Sequence, residues 1–139
     1  MHRADESLLI IPQVETVKAV ANAREIASVP GVDMVFIGPA DLSGSAGLPD
    51  ETGAPEVSRL IAEAEAAVRA VGKPLATVPR IGKSWQDLFA EGYLAVAAAS
   101  DLAMLRQGVV DVAEAWRRYG ATGETGAEAQ AARPSGPYS

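Results

Sequence analysis

The sequence contains no cysteine and a single histidine, His2. Without cysteine, the chain cannot form disulfides, thiolate nucleophiles or cysteine-ligated metal clusters. No apolar run approaches the roughly 20 residues that a membrane-spanning helix needs. The N-terminal segment also lacks the apolar core of a signal peptide, so a cytoplasmic location is expected.

Positive charge is also scarce, because 12 lysines and arginines face 18 acidic residues, for a net charge of -6. This balance argues against nucleic acid and against an anionic membrane surface as partners, since both need a basic face. It does not exclude a small anionic substrate, which a metal ion or backbone amides can bind locally. At 139 residues, 48% of them hydrophobic, the chain can form one domain with a sizeable core.

Apolar runs alternate with segments of helical periodicity along most of the chain. Alternation of this kind predicts an α/β fold with parallel strands and right-handed crossovers. Four such βα units are too few for a closed (β/α)₈ barrel, which typically needs about 250 residues. We expect a flexible leader over 1–7, a domain over 8–119 and a disordered tail over 120–139. The expected strands are 8–14, 32–37, 75–78 and 93–99; the expected helices are 16–28, 56–71, 84–91 and 102–119; 43–55 is expected to be a loop.

Two carboxylates, Glu15 and Asp41, each follow an apolar run that ends abruptly. Acids in this position lie at the carboxyl ends of parallel strands, where such folds carry their chemistry. Gln13 shares a face with Glu15, because residues two apart on a strand point the same way. From the residues alone, spacing favours a turn cap for Asp41 and a solvated acid at a helix start for Glu15. Further along, Glu63 and Glu65 are interpreted as a solvated helix face, and Trp85 and Phe89 as packing residues.

Two segments, 12–15 (Pro-Gln-Val-Glu) and 31–43 (Gly-Val-Asp-Met-Val-Phe-Ile-Gly-Pro-Ala-Asp-Leu-Ser), closely resemble the HpcH/HpaI aldolase/citrate lyase family. Shorter similarities at 55–57, 72–74 and 95–97 support the resemblance, which covers about residues 8–119. The family contains metal-dependent (class II) pyruvate aldolases. The resemblance implies that the four βα units correspond to strands 5 to 8 of a TIM (β/α)₈ barrel, which makes this chain a half-barrel.

The resemblance also implies a site. Glu15 and Asp41 match the family's ligands for a divalent cation, which would be Mg²⁺, Mn²⁺ or Co²⁺. Gln13 and the segment Gly38, Pro39, Ala40 and Asp41 match the residues that hold the substrate, a 2-oxo acid such as pyruvate. The implied reaction is aldol addition of the pyruvate enolate to an aldehyde, or the reverse cleavage, with the metal as Lewis acid.

The sequence departs from the family in one large respect. The resemblance covers none of the family's first four βα units, which in relatives carry a histidine base and an arginine that stabilises the developing oxyanion. His2, Arg80 and Arg106 match neither position, so no catalytic residue is identified in this chain. We therefore expect association with a second copy or with a separate N-terminal half-barrel, favoured by the unpaired strand edges of an open sheet. The alternatives are a truncated, inactive fragment and a non-catalytic half-barrel that binds metal or oxo acid.

Overall fold

The computed structural model describes residues 8–122, which belong to two compact units, Met1–Ala98 and Ala99–Ser139, each described here by itself. The expected leader over 1–7 and residues 123–139 of the expected tail lie outside the described residues.

The first unit is built on a four-stranded parallel sheet in which the strands follow one another in chain order. The strands are β1 (Gln13–Val14), β2 (Val35–Ile37), β3 (Leu75–Thr77) and β4 (Ala95–Val96). All four predicted strands are therefore present, but they are shorter than the apolar runs that predicted them. The run before β1 is still attached to the sheet, because the Phe36 N–H donates to the Pro12 carbonyl over 2.9 Å.

Helices cover one face of this sheet. The predicted helix over 16–28 is two helices, α1 (Val17–Ala21) and α2 (Ala23–Ser28), because Asn22 between them leaves helical geometry at φ -103° and ψ 7°. Thr16 is the N-cap of α1 as predicted, since its hydroxyl accepts the Ala19 N–H over 3.0 Å.

The segment after β2 is a helix and not the turn and loop that its composition predicted. This helix, α3, covers Pro39–Ser45. Pro39 occupies its first position, where proline needs no backbone hydrogen bond and its fixed φ suits the helix. The predicted loop is thus confined to the residues between α3 and α4 (Pro55–Arg69), and α4 lies within two residues of its predicted bounds.

The helix that follows β3 is α5 (Trp85–Ala90), which begins in a capping box formed by Ser84 and Asp87. Leu88 of this helix is fully buried, whereas Trp85 and Phe89, predicted as packing residues, are both 46% exposed and contact each other edge to face. Only one residue of the predicted apolar face of α5 is therefore a core residue.

The core lies between the sheet and α1, α2 and α4. One row of paired strand residues, Val14, Ile37 and Thr77, is completely buried, and the Thr77 hydroxyl donates to the Ile37 carbonyl over 2.9 Å. The neighbouring row points to the other face and begins with Gln13, which is exposed, and Phe36, which is half-buried. The open part of the sheet is therefore the face that carries Gln13.

The second unit contains α6 (Asp101–Thr122), which was predicted over 102–119. Ser100 caps it, since its hydroxyl accepts the Ala103 N–H over 3.2 Å and its carbonyl accepts the Met104 N–H over 3.0 Å. Among the residues that the structure describes, no helix has the length and apolar character needed to cross a membrane.

Candidate active site at the ends of β1 and β2

Strand β1 brings Gln13 and Glu15 onto one face, as their spacing predicted. Glu15 directly follows the strand, and its Oε2 accepts a hydrogen bond from Gln13 Nε2 over 2.9 Å. Gln13 is exposed and Glu15 is half-buried. The amide thus fixes one oxygen of the carboxylate and leaves the other without a side-chain donor among the described residues.

Gly38, the first residue after β2, lies beside this pair because its N–H donates to the Val14 carbonyl over 3.1 Å. A Cβ at this position would lie 3.1 Å from both the Cβ and the Oε2 of Glu15, and 3.6 Å from Gln13 Nε2. Its φ of -102° is open to any residue, so a side chain here is disfavoured by the tight space beside Glu15 and not by backbone conformation. The missing side chain keeps the Glu15 carboxylate uncrowded.

Asp41 stands in the first turn of α3, three residues after Gly38, and its side chain is exposed. It makes no side-chain hydrogen bond or ion pair with any residue between 8 and 122. The N–H groups of Ala40 and Asp41 belong to the first turn, where backbone donors have no intrahelical acceptor. This turn therefore presents free donors beside a free carboxylate.

One hydrogen bond joins the two segments that carry the acids. The Val17 N–H, at the start of α1, donates to the Ser45 hydroxyl at the end of α3 over 3.1 Å. Glu15 lies two residues before Val17, and Asp41 lies four residues before Ser45. The bond limits how far the two acid-bearing segments can separate.

We call Gln13, Glu15, Gly38 and Asp41 the β1–β2 cluster. Its donor set is two carboxylates with hard oxygen atoms, which suits Mg²⁺ or Mn²⁺ and leaves coordination positions for substrate and water. The space that Gly38 leaves next to Glu15 Oε2 is consistent with an ion at that carboxylate. Within the described residues, no group of three or more His, Asp or Glu side chains could hold a metal.

A second polar cluster, which the sequence did not reveal, joins Glu65 of α4 to Arg80, which follows β3, and to Tyr93, which precedes β4. The Glu65 Oε1 atom accepts hydrogen bonds from the Tyr93 hydroxyl and from Arg80 Nη2, the latter over 3.0 Å. The interpretation of Glu65 as solvated is therefore wrong, whereas Glu63 is half exposed as expected. We call Glu65, Arg80 and Tyr93 the β3 cluster.

Tyr93 is 3% exposed, and the Arg80 guanidinium carbon lies 5.9 Å from the centre of its ring. Burial raises the pKa of Tyr93 well above its ordinary value, and the hydrogen bond to the Glu65 carboxylate raises that pKa further. The hydroxyl proton is therefore held firmly at neutral pH, and the cluster is a closed network of a donor, a cation and a shared carboxylate.

The chain is similar to aldolases. The model of the HpcH/HpaI aldolase/citrate lyase family matches residues 1–108. The chain is 38% identical over 103 residues to the 2-dehydro-3,6-dideoxy-6-sulfogluconate aldolase of Pseudomonas putida, covering 74% of this chain and 40% of that protein. It is 39% identical over 105 residues to the 4-hydroxy-2-oxovalerate aldolase of Rhodococcus jostii (strain RHA1), covering 76% and 41%.

The fold is also similar to that of a solved structure. The crystal structure of citrate synthase SbnG superposes with a TM-score of 0.75 at 28% identity, covering 86% of this chain and 49% of that one. This likeness, together with the four parallel strands in chain order, confirms the predicted α/β fold of a partial barrel. The chain spans about two-fifths of the length of the two aldolases.

Proposed function

The chain belongs to the HpcH/HpaI aldolase/citrate lyase family. On this basis we propose that it functions as a carbon–carbon lyase of the class II pyruvate aldolase type. The substrates would be a 2-oxo acid such as pyruvate and an aldehyde, in the cytoplasm. Two linked observations carry the proposal. The Gln13 amide orients the Glu15 carboxylate at a strand end, and the absence of a side chain at Gly38 leaves that carboxylate uncrowded.

Glu15 and Asp41 are the proposed metal ligands, for Mg²⁺, Mn²⁺ or Co²⁺. The support is their oxygen chemistry, the exposure of Asp41 and its lack of any partner among the described residues. When bound, such a cation supplies Lewis acidity toward the oxygens of the 2-oxo acid.

The remaining roles belong to groups of the chain itself. Gln13 holds Glu15 Oε2 in place and keeps its amide oxygen and second N–H available to a substrate. The free N–H groups of Ala40 and Asp41 are donors for the substrate carboxylate, with Gly38 and Pro39 shaping the turn that presents them. These residues bind and orient the substrate, but none of them is a base for the proton transfer.

We propose that the base and the oxyanion donor are contributed by a partner, either a second copy of the chain or an N-terminal half-barrel. Two features support this. The sheet ends at two edges, β1 and β4, and next to β1 the chain exposes Leu8, Leu9 and Ile10. Apolar residues beside an unpaired strand favour pairing with further strands. A compact, stable monomer in size-exclusion chromatography, unchanged by added N-terminal half, would contradict this assembly.

Calorimetric titration with Mn²⁺ tests the binding half of the proposal. We expect Glu15→Gln and Asp41→Asn each to weaken Mn²⁺ affinity by at least about tenfold, because loss of even an indirect partner of a metal ligand costs about 10–100-fold. Glu25→Gln is the matched control, since Glu25 is an exposed acid at the start of α2 and should leave the affinity unchanged. Equal affinity in all four proteins would contradict the site.

Catalysis is tested separately by measuring pyruvate release from an aldol substrate, with and without the N-terminal half of a related aldolase. Release that appears only with the added half supports a half-enzyme. Mn²⁺ and pyruvate binding without release under either condition supports the alternative, a non-catalytic half-barrel, and absence of both binding and release supports an inactive fragment.

A further inference from the structure

A cavity of about 190 Å³ lies between α4 and the segment that follows β3. It shares no lining residue with the β1–β2 cluster, so it is separate from the proposed active site. Its lining combines a few apolar groups with the polar side chains of Thr52, Ser58, Glu65, Arg80 and Lys83.

Arg80 is the unusual member of this lining. Its side chain is only 10% exposed, and Nη2 donates to Glu65 Oε1 over 3.0 Å. The other terminal nitrogen, Nη1, is buried and has no hydrogen-bond partner among residues 8–122. A buried N–H without an acceptor costs about 1–3 kcal/mol, and more on a charged group, so such an atom calls for an acceptor from outside the chain.

The Glu65 Oε1 atom already accepts two hydrogen bonds, because the Tyr93 hydroxyl donates to the same oxygen as Arg80 Nη2. The carboxylate is thus shared between two donors. Among the side chains that line the cavity, Arg80 and Lys83 are cationic and Glu65 alone is anionic. Lys83 Nζ is paired with Glu91 at 2.6 Å, but its side chain remains 37% exposed and can turn toward the cavity. Because Glu91 pairs with Lys83 and Glu65 pairs with Arg80, the two cations and the two carboxylates balance in the free protein.

We propose that this cavity binds a small oxyanion, with the Arg80 guanidinium as its principal donor and Lys83 and the Ser58 and Thr52 hydroxyls around it. A guanidinium fork matches carboxylate and phosphate oxygens in geometry and charge. A monoanion would supply the acceptor that Arg80 Nη1 lacks. The volume suits a group of a few heavy atoms, since one water occupies about 30 Å³.

The test is thermal denaturation of the full chain with increasing sodium phosphate or sodium acetate, at ionic strength held constant with sodium chloride. We expect saturable stabilisation by at least one of the two anions beyond that of chloride. The stronger response identifies a phosphate or a carboxylate group as the natural ligand chemistry. A response no greater than that of chloride would overturn the proposal, because water would then be the partner of Nη1.

Variants locate the effect. Arg80→Gln should lower the affinity for the anion, read from the concentration that gives half of the full stabilisation, about tenfold. This is the effect of losing one hydrogen bond to a charged group. Because loss of Arg80 also leaves Glu65 without its cation, Lys83→Gln provides a second variant outside the buried network, and we expect it to weaken the response as well. Lys18→Gln, which removes an exposed charge on α1, should have no effect. An anion response that Arg80→Gln and Lys83→Gln leave intact would contradict this site.

Discussion

At the ends of β1 and β2, Glu15 and Asp41 lie in open surroundings, whereas beyond β3 Glu65 is enclosed by Arg80 and Tyr93. Both clusters are built around carboxylates, but Glu15 follows a strand directly whereas Glu65 lies on the helix α4. Among residues 8–122, the only side-chain partner of an acid in the β1–β2 cluster is the neutral amide of Gln13. In the β3 cluster the acid already has a cation and a hydroxyl. The difference separates carboxylates available to a ligand from a carboxylate that holds the fold together.

The largest expected effect comes from Glu65→Gln. This change leaves the buried Arg80 charge without its anionic partner, and removal of one partner from a buried pair typically destabilises a protein by about 3 kcal/mol or more. We expect urea denaturation to show a loss of this size in the free energy of unfolding. Glu63→Gln, two residues away on the exposed face of α4, should change stability little because its ion pair with Arg59 is solvated.

Glu15→Gln provides the matching measurement on the open cluster. In the absence of metal it should change the free energy of unfolding by less than about 0.5 kcal/mol, the range typical of substitutions that disturb no buried network. A destabilisation by Glu15→Gln equal to that by Glu65→Gln would remove the distinction between the two clusters.

Gly38→Ala is expected to have an intermediate effect, confined to ligand binding. The added methyl group would lie 3.1 Å from Glu15 Oε2 and would force the carboxylate to move by a few tenths of an ångström. We expect Mn²⁺ affinity to fall about tenfold, close to 1.4 kcal/mol, as for other losses of ligand orientation. Calorimetry measures this change, and circular dichroism checks that the fold is retained. Unchanged affinity would show that the space beside Glu15 has no role in binding.

The smallest effect should appear only at high pH. Burial and the hydrogen bond to Glu65 raise the pKa of Tyr93 above the ordinary value of about 10. The folded state keeps this proton while the unfolded state loses it, so the stabilisation is complete below about pH 10 and is lost as the pH rises further. Between about pH 8 and pH 11, the wild type should lose more unfolding free energy than Tyr93→Phe. Parallel losses in the two proteins would contradict a raised pKa.

Much of the fold was predictable because its signals are local. Val57, Leu60, Ile61, Ala64 and Val68 follow the helical period, and all five are buried where α4 faces the core. The extent of the strands was not predictable, because pairing ends where the neighbouring strand ends and not where the apolar run ends. The helix α3 was missed because Gly-Pro at its start and Gly44 within it are residues that usually indicate a turn.

The two clusters also differ in how far local sequence signals predict them. Gln13 and Glu15 lie two residues apart, so their shared face could be read from spacing alone. Asp41 was indicated by the apolar run before it, and the family resemblance added the role of a metal ligand. The β3 cluster joins Glu65 to Arg80 and to Tyr93 across separations of 15 and 28 residues. Glu65 lies four residues after Ile61 and three before Val68, so the helical period places it beside the buried stripe and Glu63 away from it. The sequence does not indicate that Arg80 and Tyr93 are its partners, because only packing brings these side chains together.

The hydrogen bond from the Val17 N–H to the Ser45 hydroxyl has a further consequence for ligand capture. A binding site formed by two independent segments must restrict the motion of both when it binds, and each ordered residue costs about 1–2 kcal/mol in backbone entropy. Here the two segments are joined in the free protein, so folding has already restricted their relative motion. Binding at Glu15 and Asp41 would then require mainly the ordering of two side chains, and more of the interaction energy would appear as affinity.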